Sequence, residues 1–440
     1  MKQSKHNKLL TNIFSENDCI PFGQTILTQT TNDILLEFYD KVLESYEIIC
    51  DLQKKYIKTG KPFYTKTVTK MTKTARPIIP PNTGNAFFPD TIKQHIIDTA
   101  DYMVECNFIT NTNRKIKIIF VSEEEKDNPY NNAKIYDNYI CRIYLWILFI
   151  HNYASPKCSQ TLTIYIYLTS LKKQVPINPS ETIGVLHVNT AYTQACADPA
   201  EIVIYRKEEW FKVLLHESFH NFGLDFANIN SKTCVERMLS IFPITSEVNL
   251  FESYTEFWAE MLNVVFFCFF KSNVGSNTFR IVSRNYEDNI EMFLTCFQQH
   301  IRCEINYSIF QMVKVLNHMG LNYEAIHSKK QYAYVLRNQL YKEESNVFAY
   351  YVAKTILLFN FQEFTSWCDK HNPNILQFKQ TDDQQQLMCA FIEKHFNTNK
   401  FKSSVKCCES LWKNVNAHGN KVNQSDLLLN NLRMTICEHE

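Results

Sequence analysis

The stretch Phe211-Lys-Val-Leu-Leu-His-Glu-Ser-Phe-His-Asn-Phe-Gly223 decides the fold prediction. Its apolar residues indicate a buried helix, and Gly223 follows where a left-handed C-terminal cap would end that helix. His216 and His220 are four residues apart, so both imidazoles lie on one face of the helix. Glu217 is offset by about 100° from His216. Such groups on a buried helix need a partner, and a metal ion suits them best.

The segments around this helix predict a sheet followed by more helices. Strands are predicted at residues 115–121, 161–169, 184–190 and 201–205. Helices are predicted at residues 31–58, 142–151, 246–271, 286–318, 344–359 and 385–395. We therefore expect an α+β fold, in which a mixed β-sheet carries the H-E-x-x-H helix and the C-terminal half is mainly helical. Residues 1–100 are expected to form an N-terminal helical region with a basic linker, and residues 276–440 a helical C-terminal domain.

A third metal ligand is needed, because a catalytic zinc takes three protein ligands and keeps one position for water. The pattern H-E-x-x-H-x-x-G-x-x-H would place a third histidine where this chain has Phe226. A later helix offers Glu252, Glu256 and Glu260, each one turn apart. We favour Glu256 as the ligand, because the small Ala259 allows close approach to the histidine helix. Glu260 would then accept the outer N–H of a ligating histidine, and Glu252 is the alternative ligand.

The H-E-x-x-H at residues 216–220 and the Glu256-x-x-Ala-Glu260 segment together resemble the gluzincin, or thermolysin-like, branch of zinc metallopeptidases. The resemblance covers roughly residues 114–270 and implies a zincin-like catalytic domain at residues 101–275. It implies that Zn²⁺ is bound by the two histidines and Glu256, with Glu260 behind them.

The same resemblance implies hydrolysis of peptide bonds in a protein or peptide substrate. Glu217 would act as general base on a zinc-bound water. In that family an edge strand pairs with the substrate, and residues 184–193 are the matching segment here, with His187 on it. A downstream Tyr or His usually stabilises the oxyanion. The candidates for that role are Tyr254, His318, Tyr350 and Tyr351.

Composition excludes several other classes of protein. Only 8 of 440 residues are glycine, and no two are close enough to form a dinucleotide-binding G-x-G-x-x-G, a P-loop or a G-x-S-x-G elbow. The 46 basic side chains nearly balance the 45 acidic ones, which predicts neither nucleic-acid nor membrane binding by the chain as a whole. The most apolar run, residues 258–270, is too short to cross a bilayer.

The fifteen cysteines lack a C-x-x-C and are odd in number, which favours reduced thiols over a disulfide framework. We therefore expect a cytoplasmic protein. The abundance of Asn, Lys, Ile and Cys is typical of an AT-rich genome such as that of a large DNA virus, and a viral protein would reside in the host cytoplasm or the virion.

Two further functions stay open at this point. A structural or interaction protein with a zincin fold, in a virion or bound to a host factor, would need no catalysis, although the intact Glu217 favours an enzyme. The stretch from Lys54 to Arg76 contains no acidic residue and leads into the proline-rich residues 76–81. This pattern predicts an extended, solvated linker, and nucleic-acid binding is expected only if these basic residues provide it.

Overall fold

A computed structural model describes residues 5–72, 74–80, 87–123, 127–273, 285–417 and 428–438. Six strands form one mixed sheet: β1 (Thr65–Lys70), β2 (Tyr102–Ile109), β3 (Lys115–Ser122), β4 (Thr161–Leu168), β6 (Ala191–Thr193) and β7 (Ala200–Ile204). Their order in the sheet is β1-β2-β3-β4-β7-β6. The two-residue strands β5 (Ile183–Gly184) and β8 (Glu343–Glu344) pair with each other separately. The fold therefore combines α and β structure, as the sequence predicts.

Helices surround this sheet and make up most of the chain after residue 205. The α-helices are α1 (Lys5–Glu16), α2 (Gln29–Thr59), α3 (Asp90–Thr99), α4 (Ala133–His151), α5 (Val185–Val188), α6 (Trp210–Asn221), α7 (Lys232–Ile241), α8 (Leu250–Asn273), α9 (Tyr286–His318), α10 (Tyr323–His327), α11 (Gln331–Leu340), α12 (Lys354–Phe359), α13 (Phe361–His371), α14 (Asp382–His395) and α15 (Asn399–Ala417). A π-helical segment, Phe348–Ala353, leads into α12. Among the described helices, none combines the length and the apolar character that crossing a bilayer requires.

The centre of the large sheet is parallel. β3, β4 and β7 run side by side with Ile118, Ile164 and Ile202 in register, and such β-branched residues suit strands that are covered on both faces. α4 makes the crossover from β3 to β4 that a parallel pair needs. β6 pairs antiparallel with β7 and forms one edge of the sheet.

The two faces of the sheet contribute to different cores. Ile118 and Ile164 belong to a large core shared with α4, α6, α8 and α9, whereas the next residues along each strand, Ile119 and Tyr165, pack with α3. This alternation follows from the period of two in a strand. The large core extends from Leu10 to Cys437 and includes residues from all three predicted segments. The predicted boundary at residues 275 and 276 lies outside the described residues, and the division into domains stays a prediction.

The prediction of one edge strand over residues 184–193 is wrong in part. Gly184 ends β5, Val185–Val188 is a single helical turn, and only Ala191–Thr193 joins the sheet. The Asn189 N–H donates to the Val185 carbonyl oxygen at 3.1 Å and closes this turn, and Nδ1 of His187 accepts a hydrogen bond from the Gly184 N–H at 3.1 Å. His187 therefore stabilises this local turn instead of facing the H-E-x-x-H helix from a strand.

The basic stretch from Lys54 to Arg76 is not an extended linker throughout. Its first residues continue α2, which ends at Gly60 in the left-handed region. Residues 65–70 form β1, which pairs antiparallel with β2, and Lys66 forms an ion pair with Asp137 at 2.5 Å. Lys73 and Pro81 lie outside the described residues. Part of this basic surface is therefore held in the sheet.

The prediction that all cysteines are reduced is wrong for four of them. Disulfides join Cys19 to Cys407 and Cys158 to Cys196. The second of these lies at the end of α6, where the Cys196 N–H donates to the carbonyl oxygen of His220 at 3.0 Å. Composition cannot show this, because both pairs are brought together only by the fold.

Candidate metal centre

The helix that carries the H-E-x-x-H motif, α6, contacts β6 and β7 on one side and α8 on another. All of its residues are buried. It ends at Gly223, whose φ is +69° and whose N–H donates to the His220 carbonyl oxygen at 3.1 Å. A Cβ at this position would lie 3.1 Å from Sγ of Cys158. Glycine is required both for its conformation and for its lack of a side chain, which confirms the predicted cap.

Three ligand-type atoms meet beside α6. Nε2 of His216 lies 3.2 Å from Nε2 of His220, and Oε2 of Glu252 lies 3.1 Å from the first and 3.5 Å from the second. Zinc bonds of about 2.0–2.2 Å at tetrahedral angles place neighbouring ligand atoms about 3.3–3.6 Å apart. The three buried side chains therefore fit a single metal ion.

In the structure the glutamate beside the two Nε2 atoms is Glu252, one helical turn before the Glu256 favoured by the sequence. Oε2 of Glu256 lies 2.7 Å from Nδ1 of His216, on the outer side of the imidazole. Glu260 does not contact a histidine of the motif; its Oε1 accepts a hydrogen bond from Lys354 at 2.6 Å. Glu252 thus occupies the place expected for Glu256, and Glu256 the place expected for Glu260. Residues four apart share a helix face, so the sequence alone could not fix the axial position of α8 against α6.

Both histidines have a carboxylate on their outer nitrogen. Glu256 has this role for His216, and Asp225, in the turn after α6, contacts Nδ1 of His220. Such outer carboxylates fix the orientation of metal-binding imidazoles. The other oxygen of Glu256 accepts a hydrogen bond from Lys212.

Sequence reasoning missed Asp225 and Lys212. Lys212 is the one lysine or arginine of α6 and lies among apolar residues one turn before His216, and that position is a usable signal. Asp225 is an acid five residues after His220, but only the turn at Gly223 brings it back to the imidazole.

Charges within this cluster shift its pKa values strongly. Burial opposes ionisation of Glu252, but the neighbouring His220 and His216 outweigh burial and lower its pKa. Burial likewise disfavours the charged form of His220, yet Asp225 and Glu252 raise its pKa well above the ordinary value. The pKa of His216 is also raised, because Glu252 and Glu256 outweigh its burial. The carboxylates therefore stabilise positive charge on the two imidazoles when no metal is present. A bound metal cation would replace the protons on the imidazole nitrogens.

Glu217 lines the same cleft as His216, His220 and Glu252 and is 6% exposed. Among the described residues, none donates a hydrogen bond to its carboxylate. Burial raises its pKa, and His216 and His220 offset part of that effect. A buried carboxylate of raised pKa without a fixed partner is suited to accept a proton from a water molecule.

Tyr350 is the oxyanion candidate that the structure brings to the cluster. Its hydroxyl donates to Oε2 of Glu252 at 3.1 Å. The hydroxyls of Tyr254 and Tyr351 instead donate to backbone carbonyls, and Nε2 of His318 lies 3.0 Å from another carbonyl oxygen. The polar groups of these three side chains therefore contact backbone carbonyls away from the metal-binding atoms.

A cleft gives access to the ligand atoms. One wall is β6, the terminal strand of the sheet, and the remainder includes Phe87, Phe251 and Tyr350. A larger cavity lies between α10 and α15, but none of the motif residues lines it. The metal-binding chemistry therefore coincides with the smaller cleft at the sheet edge.

Comparison with known protein families, with curated proteins and with solved structures gives no match to this chain.

Proposed function

We propose that this protein is a zinc-dependent metallopeptidase of the gluzincin type. One observation carries this proposal: the metal-binding atoms of His216, His220 and Glu252 meet at one point. The carboxylate of Glu217 lines the same cleft. Two imidazoles and one carboxylate are a donor set of catalytic zinc sites, which keep a fourth position open. A purely structural zinc site is usually closed by four protein ligands.

When bound, zinc supplies a Lewis acid that lowers the pKa of water and polarises a carbonyl group. Glu217 accepts the proton of the attacking water at its carboxylate and passes it to the leaving amine. The Tyr350 hydroxyl, which lies against Glu252, is near enough to turn towards a substrate carbonyl oxygen as negative charge develops there. A substrate in extended conformation is expected to lie along β6, where main-chain hydrogen bonds would orient it.

Metal content and hydrolysis, measured on the same preparations of the full chain, test this proposal. Wild type purified without chelators should contain stoichiometric zinc and cleave a mixture of fluorescence-quenched peptides. His216→Ala and Glu252→Gln should lose the zinc ion of the H-E-x-x-H site and the hydrolytic activity. Glu217→Gln should retain zinc and lose activity by about 10²–10⁴-fold, because only the proton acceptor is removed. Glu236→Gln, at an exposed position on α7, is the matched control and should retain both.

The same experiment separates an enzyme from a metal-containing interaction protein. Stoichiometric zinc in wild type without hydrolysis of any peptide would favour the interaction protein. Absence of stoichiometric zinc from wild type would overturn both the enzyme and the metal-containing interaction protein.

A further inference from the structure

A second group of metal-binding side chains lies in the core, well away from the cleft. Cys268 is on α8, sixteen residues and therefore about 24 Å along the helix from Glu252. Cys296 and His300 are on α9, which packs against this part of α8. All three are buried, and the proposed hydrolysis uses none of them.

The spacing of the three side chains matches that of metal ligands. Cys296 and His300 are four residues apart and therefore share a helix face, as the two histidines of α6 do. Sγ of Cys296 lies 3.6 Å from Nδ1 of His300, and the ligand atoms of all three residues lie within 4.8 Å of one another. Zinc bonds of about 2.3 Å to sulfur and 2.0–2.1 Å to nitrogen, at a tetrahedral angle, separate the two atoms by about 3.6 Å.

The surroundings of the group favour a soft metal ion. The ring of Phe267 lies 4.8 Å from that of His300, and the Cys296 carbonyl oxygen lies 2.8 Å from Nδ1 of His300. Thiolates and imidazole are preferred ligands of zinc, whereas calcium and magnesium prefer oxygen. A metal would replace the bond to the carbonyl and would neutralise the buried thiolates.

The C-terminal segment places Cys437 against both helices. The Cys437 carbonyl oxygen accepts a hydrogen bond from the Asn263 side chain of α8 at 2.7 Å, and the Cys437 N–H donates to Oε1 of Glu304 of α9 at 3.0 Å. The segment at residues 428–438 therefore brings a third thiol to the point where α8 meets α9.

We propose that Cys268, Cys296 and His300 bind a second zinc ion, with Cys437 completing the coordination. Each ligating thiol releases its proton when the ion binds, and no bond between protein atoms is formed or broken. The ion would connect α8, α9 and the C-terminal segment. It would have a structural role, because no position is left open for water.

Metal counting on the full chain, purified under reducing conditions without chelators, tests the proposal. Wild type should contain two zinc ions. Cys296→Ser should contain one, with the H-E-x-x-H site still occupied, and His216→Ala should also contain one. The double variant should contain none. Cys303→Ser changes another buried thiol on α9, seven residues beyond Cys296, and should retain two.

Cobalt substitution gives a second readout, which reports the type of ligand at each site. Thiolate ligands give Co²⁺ a near-ultraviolet charge-transfer absorption, which a site of two histidines and a glutamate does not give. Cobalt-loaded wild type and His216→Ala should both show this absorption, whereas it should be lost in Cys296→Ser. One metal per chain without this absorption, or a Cys268–Cys296 disulfide in unreduced peptide maps, would overturn the second site and leave the proposed catalytic site unaffected.

Discussion

Nδ1 of His216 lies 2.7 Å from Oε2 of Glu256, on the side of the imidazole opposite Glu252. The second oxygen of Glu256 accepts a hydrogen bond from Lys212, one turn before His216 on α6. Burial opposes ionisation of Glu256, but Lys212 and His216 outweigh burial and hold its pKa well below the ordinary value. The carboxylate therefore stays ionised and accepts the Nδ1–H, which leaves the Nε2 lone pair for a metal.

Zinc affinity should distinguish the two glutamates. Glu252→Gln removes a proposed ligand and should abolish zinc binding at the H-E-x-x-H site. Glu256→Gln removes only the acceptor behind His216 and should weaken binding by about 10–100-fold. Competition with a chelating dye measures both affinities. The reverse order would restore Glu256 as the ligand, and equal losses in both would mean that neither geometry describes the metal-bound site.

Tyr350→Phe should lower kcat by about 10²–10³-fold, the usual effect of removing one oxyanion donor. KM and zinc content should stay near the wild-type values, because the hydroxyl is expected to act mainly in the transition state. Tyr351→Phe is the matched control. Its hydroxyl donates to the Leu432 carbonyl instead, so it should cost about 1 kcal/mol of stability and little activity. Equal activity losses in the two variants would remove Tyr350 from the proposed chemistry.

The affinity of the metal-free protein for zinc should rise with pH through the neutral range. The carboxylates around His216 and His220 raise the pKa values of both imidazoles in spite of burial. A protonated imidazole cannot bind metal, so protons compete with zinc at every pH below these raised values. Affinity should increase about tenfold per pH unit for each proton released and level off once both histidines are neutral.

Isothermal titrations in buffers of different ionisation enthalpy measure the protons released on zinc binding. The number should fall as pH rises. An affinity that is constant between about pH 6 and pH 8 would show that the histidines are already neutral there, contrary to the pKa shifts.

Local sequence rules predicted the parts of this fold that depend on periodicity. The pattern before Gly223 predicted α6 and its cap, and the β-branched residues at 115–121 and 161–169 predicted β3 and β4. Periodicity identifies which face of a helix is buried. It does not fix how far one helix slides along another, so the small Ala259 favours Glu256 in the sequence, whereas Glu252 lies beside both histidines in the structure.

The remaining site residues come from distant or irregular segments. Tyr350 lies in the π-helical segment Phe348–Ala353 and reaches Glu252 from almost one hundred residues away in sequence. The turn at Val185–Val188 is held by the bond from the Gly184 N–H to His187 and by Arg206, which donates to the carbonyl oxygens of Leu186 and Asn189. The contacts of Tyr350 and Arg206 join distant segments, so they have no local pattern that a sequence could display.

Gly223→Ala should destabilise the protein more than Gly60→Ala does. Both glycines have a positive φ, +69° and +68°, so each substitution should cost about 1–2 kcal/mol of backbone strain. At Gly60 nothing lies within 4 Å of the new Cβ, whereas at Gly223 it would lie 3.1 Å from Sγ of Cys158. Overpacking there should add about 1–3 kcal/mol. Gly223→Ala should also weaken zinc binding, because the same turn holds Asp225 against His220. Urea denaturation and zinc titration of the two variants measure these effects. Equal destabilisation with unchanged zinc affinity would show that the disulfide loop yields to the new methyl group and that the turn does not position His220.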